Sequence, residues 1–454
     1  MLKRSLTALL SLLIVSIVGY GLINSTYIAN ALPTAQPSPI STSMPATATE
    51  TPSPTIQLSP TLTPMPSLTP LPSITPTPLP MVVPLIVNEP TPISYGPYNF
   101  PSVVNPLTGL PIEQFSLLDR RPMVIKVTNY PRTVRPQPGL SRADIVYEYY
   151  LESGMSRFIA VFYGQDAEKV GPVRSGRFFD EHIFRMYDGI FVFDSADWRV
   201  MDHFLGLGKY IVNSMVIENI PFEHADCGRS TYVYLCRDQS IKVHSYNDLF
   251  TNTAALTEYI NMRNGNHRPN LDGMVFSYQT PPNGDLGLNV YTRYSLFMYN
   301  WWEYSIEQGR YLRNQETIGY ADPNRESYTP HLDGLTGEQL AADNVVVITV
   351  PHEYYVKTRT TEIYQIHLLG QGNGYVFRDG FAFPIIWSHP EDDGVLNLFT
   401  LDGEYFPLKP GETWFQVISE ESTLSRVNGI DWRFTFVPPF VPDDPVNPER
   451  AIFP

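Results

Sequence analysis

The sequence predicts an α+β fold, with a layered α/β sandwich domain over residues 95–270 followed by an antiparallel β-rich domain over residues 271–454. Strand-like and helix-like periodicities alternate from Arg121 to Met262, which is typical of strands and helices packed in layers. After Asp272, β-branched and aromatic runs are separated only by short turns. A hydrophobic segment and a Pro/Thr/Ser stretch precede both domains, which leaves about 360 residues to form a core.

The N-terminal segment, residues 1–31, carries the features of a secretion signal. Lys3 and Arg4 precede the uncharged apolar run Leu6–Ile23, an arrangement that keeps the N-terminus in the cytoplasm and sends the rest of the chain across the membrane. At about 18 residues, the run is just long enough to remain as a single-pass anchor. Alternatively, the small residues of Ala29–Ala31 form a cleavage site that would release the protein. The length of the run favours the anchor.

Residues 32–94 are dominated by Pro, Thr and Ser, with repeats such as Thr51–Pro54 and Thr75–Pro78. Proline fixes φ and removes amide donors, so neither helix nor sheet can form. We expect a disordered, semi-rigid stalk of polyproline-II character, which at ~3.1 Å per residue reaches at most roughly 190 Å.

The α/β domain is predicted from alternating strand and helix patterns, with a β-hairpin that turns at Ser153-Gly154. The predicted strands are Arg121–Tyr130, Asp144–Glu152, Arg157–Gly164, Gly189–Phe193 and Tyr210–Ile217, and the predicted helices are Arg174–Tyr187, Asp197–Leu205 and Asp248–Met262.

The β-rich domain is predicted from apolar runs bounded by turns, of which the Asp-Gly pairs at 379–380 and 402–403 are the strongest hairpin signals. The predicted strands are Gly273–Tyr278, Asn289–Tyr299, Trp302–Ile306, Arg310–Arg313, Asn344–Val350, Thr361–Leu368, Gly374–Phe377, Phe383–Trp387, Val395–Thr400, Thr413–Ile418 and Trp432–Val437.

Charge and cysteine content narrow the function classes. A net charge of −15 argues against a nucleic-acid partner, because phosphate contacts need a basic surface. The two cysteines, Cys227 and Cys236, favour a disulfide in an oxidising compartment, with free thiols as the alternative. Two cysteines without further ligands at metal-site spacing make a poor zinc site.

The segment Gly171–Arg177 is the most suggestive candidate site, because it lies where a strand should pass into a helix. Helix N-termini attract anions, and Arg174 and Arg177 add donors suited to a carboxylate or phosphate. Ser175 could cap the helix or contact the ligand. The glycine spacing resembles a phosphate-binding loop, but Arg177 and Phe178 replace the Lys and Ser/Thr of that motif. No cofactor is therefore predicted, and structural ion pairs are the alternative role for the arginines.

Glu148 and Glu152 stand on one predicted strand at even spacing, so their side chains should share a face. Arg157 could join them across the hairpin. A carboxylate pair of this kind can carry out acid–base chemistry, or it can form a salt-bridged strand face. We treat both glutamates as candidate catalytic residues and Arg157 as a candidate ligand-binding residue.

Several motifs resemble the YerB-like family of bacterial envelope proteins. The motifs are Asn105–Gly109, Arg121-Pro122, Arg135–Glu148, Glu152, Arg157-Phe158, Gly171–Arg177, Tyr311–Arg313, Asp343–Val345, Arg378–Gly380 and Pro410–Trp414. The resemblance implies a secreted or membrane-attached protein with an α/β sandwich domain and a β-rich C-terminal domain, both of unknown biochemical function. Typical members are lipoproteins, whereas this chain has no cysteine near its apolar run, and Val243–Asn247 replaces a Pro-His-Asn stretch of the family.

These observations together predict a membrane-tethered, extracytoplasmic binding or scaffolding protein that contacts peptidoglycan or another envelope protein. The alternative is an envelope enzyme, hydrolase-like, that acts on an anionic or glycan substrate with Glu148 and Glu152 beside the arginines. An enzyme needs a cleft in which a carboxylate of shifted pKa meets the arginines, whereas a binding protein needs only the arginines.

Overall fold

The computed structural model describes residues 94–209, 213–217, 226–227, 234–238, 240–241, 246–318, 325–358 and 360–440. These residues form mostly strands, with three α-helices: α1 Phe178–Met186, α2 Trp198–Gly206 and α3 Thr253–Met262. Their strands are β1 Ser94–Tyr95, β2 Met123–Thr128, β3 Ile145–Tyr150, β4 Ser156–Phe162, β5 Ile190–Phe193, β6 Met215–Ile217, β7 Leu235–Arg237, β8 Leu249–Thr251, β9 Val275–Ser277, β10 Asp285–Leu286, β11 Asn289–Arg293, β12 Tyr299–Ser305, β13 Arg310–Glu316, β14 Tyr328–Pro330, β15 Ala341–Ala342, β16 Asn344–Val350, β17 His352–Lys357, β18 Glu362–Ile366, β19 Gly370–Arg378, β20 Phe381–His389, β21 Asn397–Phe399, β22 Pro407–Leu408, β23 Thr413–Ser419, β24 Thr423–Val427 and β25 Asp431–Thr435.

The main sheet has eleven strands and draws them from both predicted domains. Its order is β10-β20-β19-β16-β23-β3-β4-β2-β5-β6, with β21 paired to β20. The two halves of the chain meet where β23 lies parallel to β3, with Thr413 opposite Ile145 and Val417 opposite Tyr149. Such a pairing joins segments far apart in sequence, because parallel strands need a long connection.

A second sheet of seven strands has the order β14-β13-β12-β11-β25-β24, with β15 paired to β13. It packs against the main sheet through aromatic side chains: Trp302 of β12 lies 5.1 Å from Trp414 of β23, and Trp414 lies 5.3 Å from Phe158 of β4, between ring centroids. All three side chains are buried. The centre of the main sheet is thus covered on this face.

Helix α1 covers the opposite face of the main sheet. The Phe179 ring lies 4.6 Å from the Tyr149 ring, and the hydroxyl groups of Tyr147 and Tyr187 are 2.6 Å apart. Because both faces are covered, every residue of β2, β3 and β4 is buried. Burial on both faces explains why the sequences of these strands are nearly continuous runs of apolar residues.

The β-rich character and most local elements agree with the sequence predictions. The hairpin between β3 and β4 turns through Ser153 and Gly154, which have φ of 54° and 79°, and Asp379 and Gly380 turn the β19–β20 hairpin with φ of 54° and 79°. Positive φ at two successive residues matches the right-handed twist of the flanking strands.

Several local predictions were wrong. The strand predicted over Asn289–Tyr299 is two strands, β11 and β12, joined by a turn in which the Tyr294 amide donates to the Met298 carbonyl at 2.9 Å. The helix predicted from Asp248 begins only at Thr253, because Leu249–Thr251 forms strand β8 and Asn252 caps the helix by accepting a hydrogen bond from the Ala255 amide at 3.0 Å. The second half of the chain is not purely antiparallel, since β16 with β23, β11 with β25, and β9 with β22 are parallel pairs.

The hydrophobic segment, the stalk up to residue 93, residues 243–245 of the Val243–Asn247 stretch and part of the strand predicted at 210–217 lie outside the described residues. Within the described ranges, none of the helices combines the length and apolarity needed to cross a membrane.

We expect Trp302→Ala to lower the free energy of unfolding by about 3–5 kcal/mol, because it would empty a large buried volume between the two sheets. Trp301→Ala is the matched control. Trp301 is the neighbour on the opposite face of β12, half-buried and stacked on Tyr291, so its loss should be markedly smaller. Urea unfolding followed by fluorescence measures both, and equal losses would contradict this account of the interface.

Candidate functional site

The segment Gly171–Arg177 lies at the carboxyl end of the parallel strands β2 and β5. Strand β5 pairs only with the first residues of β2. Along the last residues of β2 the neighbour is this segment, since the Arg174 amide donates to the Lys126 carbonyl at 3.0 Å and Val173 forms a β-bridge with Val127. The Gly176 amide then donates to the carbonyl of Ser195, just beyond β5, at 2.7 Å. Crevices at the carboxyl ends of parallel strands are the usual ligand sites of α/β sheets.

Three arginines, Arg157, Arg174 and Arg177, meet at this point and are called here the arginine cluster. Arg157 comes from β4 and donates through Nη1 to the Ser175 carbonyl at 3.0 Å. Nη1 of Arg174 donates to the Tyr246 carbonyl at 2.9 Å, while its buried Nε has no partner in the described part of the chain.

Arg177 is the member of the cluster with an ion pair. Its Nε donates to Oε2 of Glu152 at 3.0 Å, and its Nη2 contacts the other carboxylate oxygen. Arg177 and neighbouring charges hold the pKa of Glu152 below its usual range, although burial of the carboxyl opposes the shift. The predicted alternative, a structural ion pair, therefore applies to Arg177.

A buried lysine lies among the same charges. Nζ of Lys126 is 2.8 Å from Oδ1 of Asp180, and the Tyr149 hydroxyl contacts both groups. Burial lowers the pKa of Lys126 to about 7, against the opposing effect of Asp180. Sequence reasoning missed this lysine, although a charged residue inside the apolar strand Met123–Thr128 was a usable signal.

Charges of both signs surround the cluster. The guanidinium groups of Arg157, Arg174 and Arg177 and the amine of Lys126 lie near the carboxylates of Glu152, Asp180 and Asp194. Burial and the neighbouring Arg177 lower the pKa of Arg157 to about 9, so Arg157 is still cationic at neutral pH.

Arg157 is the most deeply buried member without an ion pair in the described residues. It is 7% exposed, and among the described residues no carboxylate lies within 4.0 Å of its guanidinium. Burying a charge without an ion-pair partner is costly. An anion placed against Arg157 and the free edge of Arg174 would supply the missing charge.

The start of helix α1 differs from the sequence prediction. The helix begins at Phe178 rather than Arg174, and Oδ2 of Asp180 accepts the Arg177 amide hydrogen bond at 2.8 Å. Ser175 does not cap the helix; its hydroxyl oxygen lies 3.1 Å from that of Ser195. The helix terminus is thus occupied by its own carboxylate, and the donors available to an anion are the guanidinium groups and these hydroxyls.

The predicted carboxylate pair does not form. Strand β3 ends at Tyr150, and Glu152 opens the turn, where its carbonyl accepts a hydrogen bond from the Met155 amide at 3.0 Å. Glu152 consequently turns toward Arg177, while Glu148 faces the second sheet. The expectation of a shared face was wrong because it assumed that the strand continued through Glu152.

Glu148 is instead fully engaged in a buried network. Its Oε2 is 2.8 Å from Nη2 of Arg313, and its Oε1 accepts from the Ser156 hydroxyl at 2.7 Å. The Arg313 guanidinium lies 4.8 Å from the Trp414 ring centroid and donates through Nε to Nδ1 of His331 at 3.0 Å. Burial, together with Arg313, lowers the pKa of His331 well below its usual range.

The disulfide prediction is confirmed. Cys227 and Cys236 are bonded, with their Cα atoms 5.0 Å apart, and Cys236 belongs to β7. The bond therefore links Cys227 to strand β7, and β7 pairs with β8.

Residues 107–266 match the family model for the N-terminal domain of a protein of unknown function (DUF3048), and residues 290–415 match the model for its C-terminal domain. The chain is 24% identical over 328 residues to "Putative lipoprotein YerB" of Bacillus subtilis, which covers 72% of this chain and 89% of that protein. A crystal structure of the YerB protein from Bacillus subtilis has a TM-score of 0.54 at 23% identity, over 69% of this chain and 96% of that one. This structural likeness shows a common fold.

We expect Arg313→Met to lower stability and Arg157→Met not to lower it. Arg313→Met leaves Glu148 buried without its partner and should lower the free energy of unfolding by about 3–5 kcal/mol. Arg157→Met removes a charge that has no ion-pair partner, so in anion-free buffer stability should stay constant or rise by about 1 kcal/mol. Urea unfolding of the two variants measures the difference. A loss for Arg157→Met as large as that for Arg313→Met would show that the fold itself compensates Arg157.

Proposed function

Because this chain belongs to the YerB-like family, which is defined by two domains of unknown function, we propose that it is a membrane-tethered, extracytoplasmic binding protein of the cell envelope. The uncharged run Leu6–Ile23 would hold it in the membrane in a single pass, and residues 32–94 would carry the body away from the surface. The name of the Bacillus relative, which describes a lipoprotein, supports attachment to a membrane. In this chain both cysteines, Cys227 and Cys236, lie far from the apolar run. The run itself, rather than a lipid attached to a cysteine, would therefore hold the protein in the membrane.

The proposed ligand is an anionic group, a carboxylate or a phosphate, bound by Arg157 and Arg174 with help from Ser175 and Arg177. The observation that carries this proposal is the buried guanidinium of Arg157, which has no carboxylate within 4.0 Å among the described residues. Arginine forks suit both anions because two parallel N–H groups match two oxygens.

The proposed partner is the cell wall, because peptidoglycan presents carboxylates to a body held outside the membrane. A protein of the envelope is the alternative partner. The layered α/β sandwich implied by the resemblance belongs to the same proposal, and the packing of α1 on β3 supports it.

The hydrolase-like alternative has less support. It needs Glu148 and Glu152 side by side near the arginines, but Glu148 is committed to Arg313 and Glu152 to Arg177. A general acid or base must reach its substrate, and Glu148 is 1% exposed. We therefore propose binding without hydrolysis.

We expect the full chain, solubilised in a mild detergent, to co-sediment with isolated cell-wall sacculi, and Arg174→Ala to reduce the bound fraction several-fold. Arg174 is suitable because it is half-buried and has no ion pair within 4.0 Å in the described residues, so its loss should disturb the fold little. Arg426→Ala is the charge-matched control, since Arg426 lies on β24 of the second sheet and is exposed.

Equal pelleting of the native chain and Arg174→Ala would remove the arginine cluster from the interaction. If the native chain stays in the supernatant, the wall is not the partner, and capture of an envelope protein becomes the next experiment.

A further inference from the structure

A groove of about 700 Å³ lies between helix α2 and the β17–β18 hairpin. It is lined by two large aromatic side chains, one aliphatic side chain and five polar or charged ones: Trp198 and Tyr355, Val356, and Arg199, Asp202, His203, Thr358 and Thr361. Its most prominent member is Trp198, which is 66% exposed at the first turn of α2. An indole left in water to this extent loses the burial that normally stabilises it.

The groove adjoins the arginine cluster. Phe178 follows Arg177 directly, and its ring lies 4.7 Å from the Tyr355 ring and 5.2 Å from the His203 ring, between centroids. A second link is the contact between the Ser175 and Ser195 hydroxyl oxygens, which are 3.1 Å apart. Trp198 follows Ser195 by three residues, a reach of at most about 11 Å.

Among the described residues that line the groove, the arginine has a carboxylate partner, since the Arg199 guanidinium is 3.4 Å from Asp197. The His203 ring is 2.5 Å from Glu181. Asp202 adds a negative charge there. A ligand that fills both places would be anionic at one end and largely neutral, with many hydroxyl groups, at the other.

We propose that the groove and the arginine cluster form one binding site for an anionic glycan. Sugar rings would lie with their C–H faces against Trp198 and Tyr355, while hydroxyl groups contact Asp202, Thr358 and Thr361. A carboxylate or phosphate on the glycan would bind Arg157 and Arg174. An apolar peptide or a lipid chain fits less well, because it would offer no hydrogen-bond partners to Asp202, Thr358 and Thr361 on the lining. This inference rests on the proposed function, since it requires the cluster to bind an anion.

Calorimetric titration of the detergent-solubilised full chain tests the inference with two probe sets. The carboxylate set is galacturonate and tetragalacturonate. The phosphate set is glucose 1-phosphate and maltotetraose 1-phosphate, with neutral maltotetraose beside them. In the set that matches the natural anion, the tetramer should bind at least about tenfold more tightly than the monomer, and neutral maltotetraose should bind weakly.

Trp198→Ala should lower the affinity for the charged tetramer about tenfold and change the affinity for the monomer by less than about twofold. Arg174→Ala should weaken monomer and tetramer alike. Tyr278→Ala, which truncates an aromatic residue that is 55% exposed and lies just after β9, is the matched control and should change neither.

The outcomes separate this inference from the proposed function. If charged monomers bind but tetramers bind no more tightly, or if Trp198→Ala leaves the tetramer affinity unchanged, the glycan inference fails and the anion site stands. If no charged probe binds, both fail. If maltotetraose binds as tightly as the charged tetramers, the groove takes a neutral glycan and its link to the arginine cluster is overturned.

Discussion

The ion pair between Glu148 and Arg313 connects the two sheets at their centre. Glu148 lies on β3 of the main sheet and Arg313 on β13 of the second sheet, and both are almost completely buried. Removing two charges from water is costly unless every oxygen and N–H group finds a partner. Around Glu148 those partners come from other elements, including Asn300 of β12 and Gln416 of β23. Because these partners come from both sheets, the network around Glu148 links the two halves of the chain.

The same strand explains why a second charged cluster exists on the other face. Successive residues of a strand point to opposite faces, so Tyr149 points away from the Glu148 network and toward α1. Arg157 lies directly opposite Tyr149 in the β3–β4 ladder and therefore shares that face. Each face of the sheet thus buries an arginine. Arg313 has a carboxylate and three aromatic rings around it, whereas Arg157 has a backbone carbonyl. By this contrast Arg313 is a structural residue, whereas Arg157 is the residue to which a bound anion would supply an ion-pair partner.

Local features of this fold could be predicted from the sequence, whereas contacts between distant segments could not. The Ser153-Gly154 and Asp379-Gly380 turns carry their own backbone preference, and two cysteines allow only one pairing within the chain. The parallel pairing of β23 with β3 depends on residues more than two hundred positions apart, and no local pattern encodes it. The partner of Glu148 was missed for this reason, since Arg313 comes from the other half. Of the candidate site, the sequence indicated the three arginines but not Lys126, which stands in a strand that otherwise reads as core.

The ion pair between Arg177 and Glu152 determines how an anion could enter the cluster. A ligand that used Arg177 would have to displace a carboxylate bound through both of its oxygens, and the gain would be offset by the loss of that pair. Arg157 and Arg174 present no such competition, because their described hydrogen bonds go to backbone carbonyls. Glu152 instead keeps Arg177 in place beside the other two arginines. Affinity should therefore depend mainly on Arg157 and Arg174, while Arg177 acts as a positioning residue that keeps the site open beside the groove at Trp198.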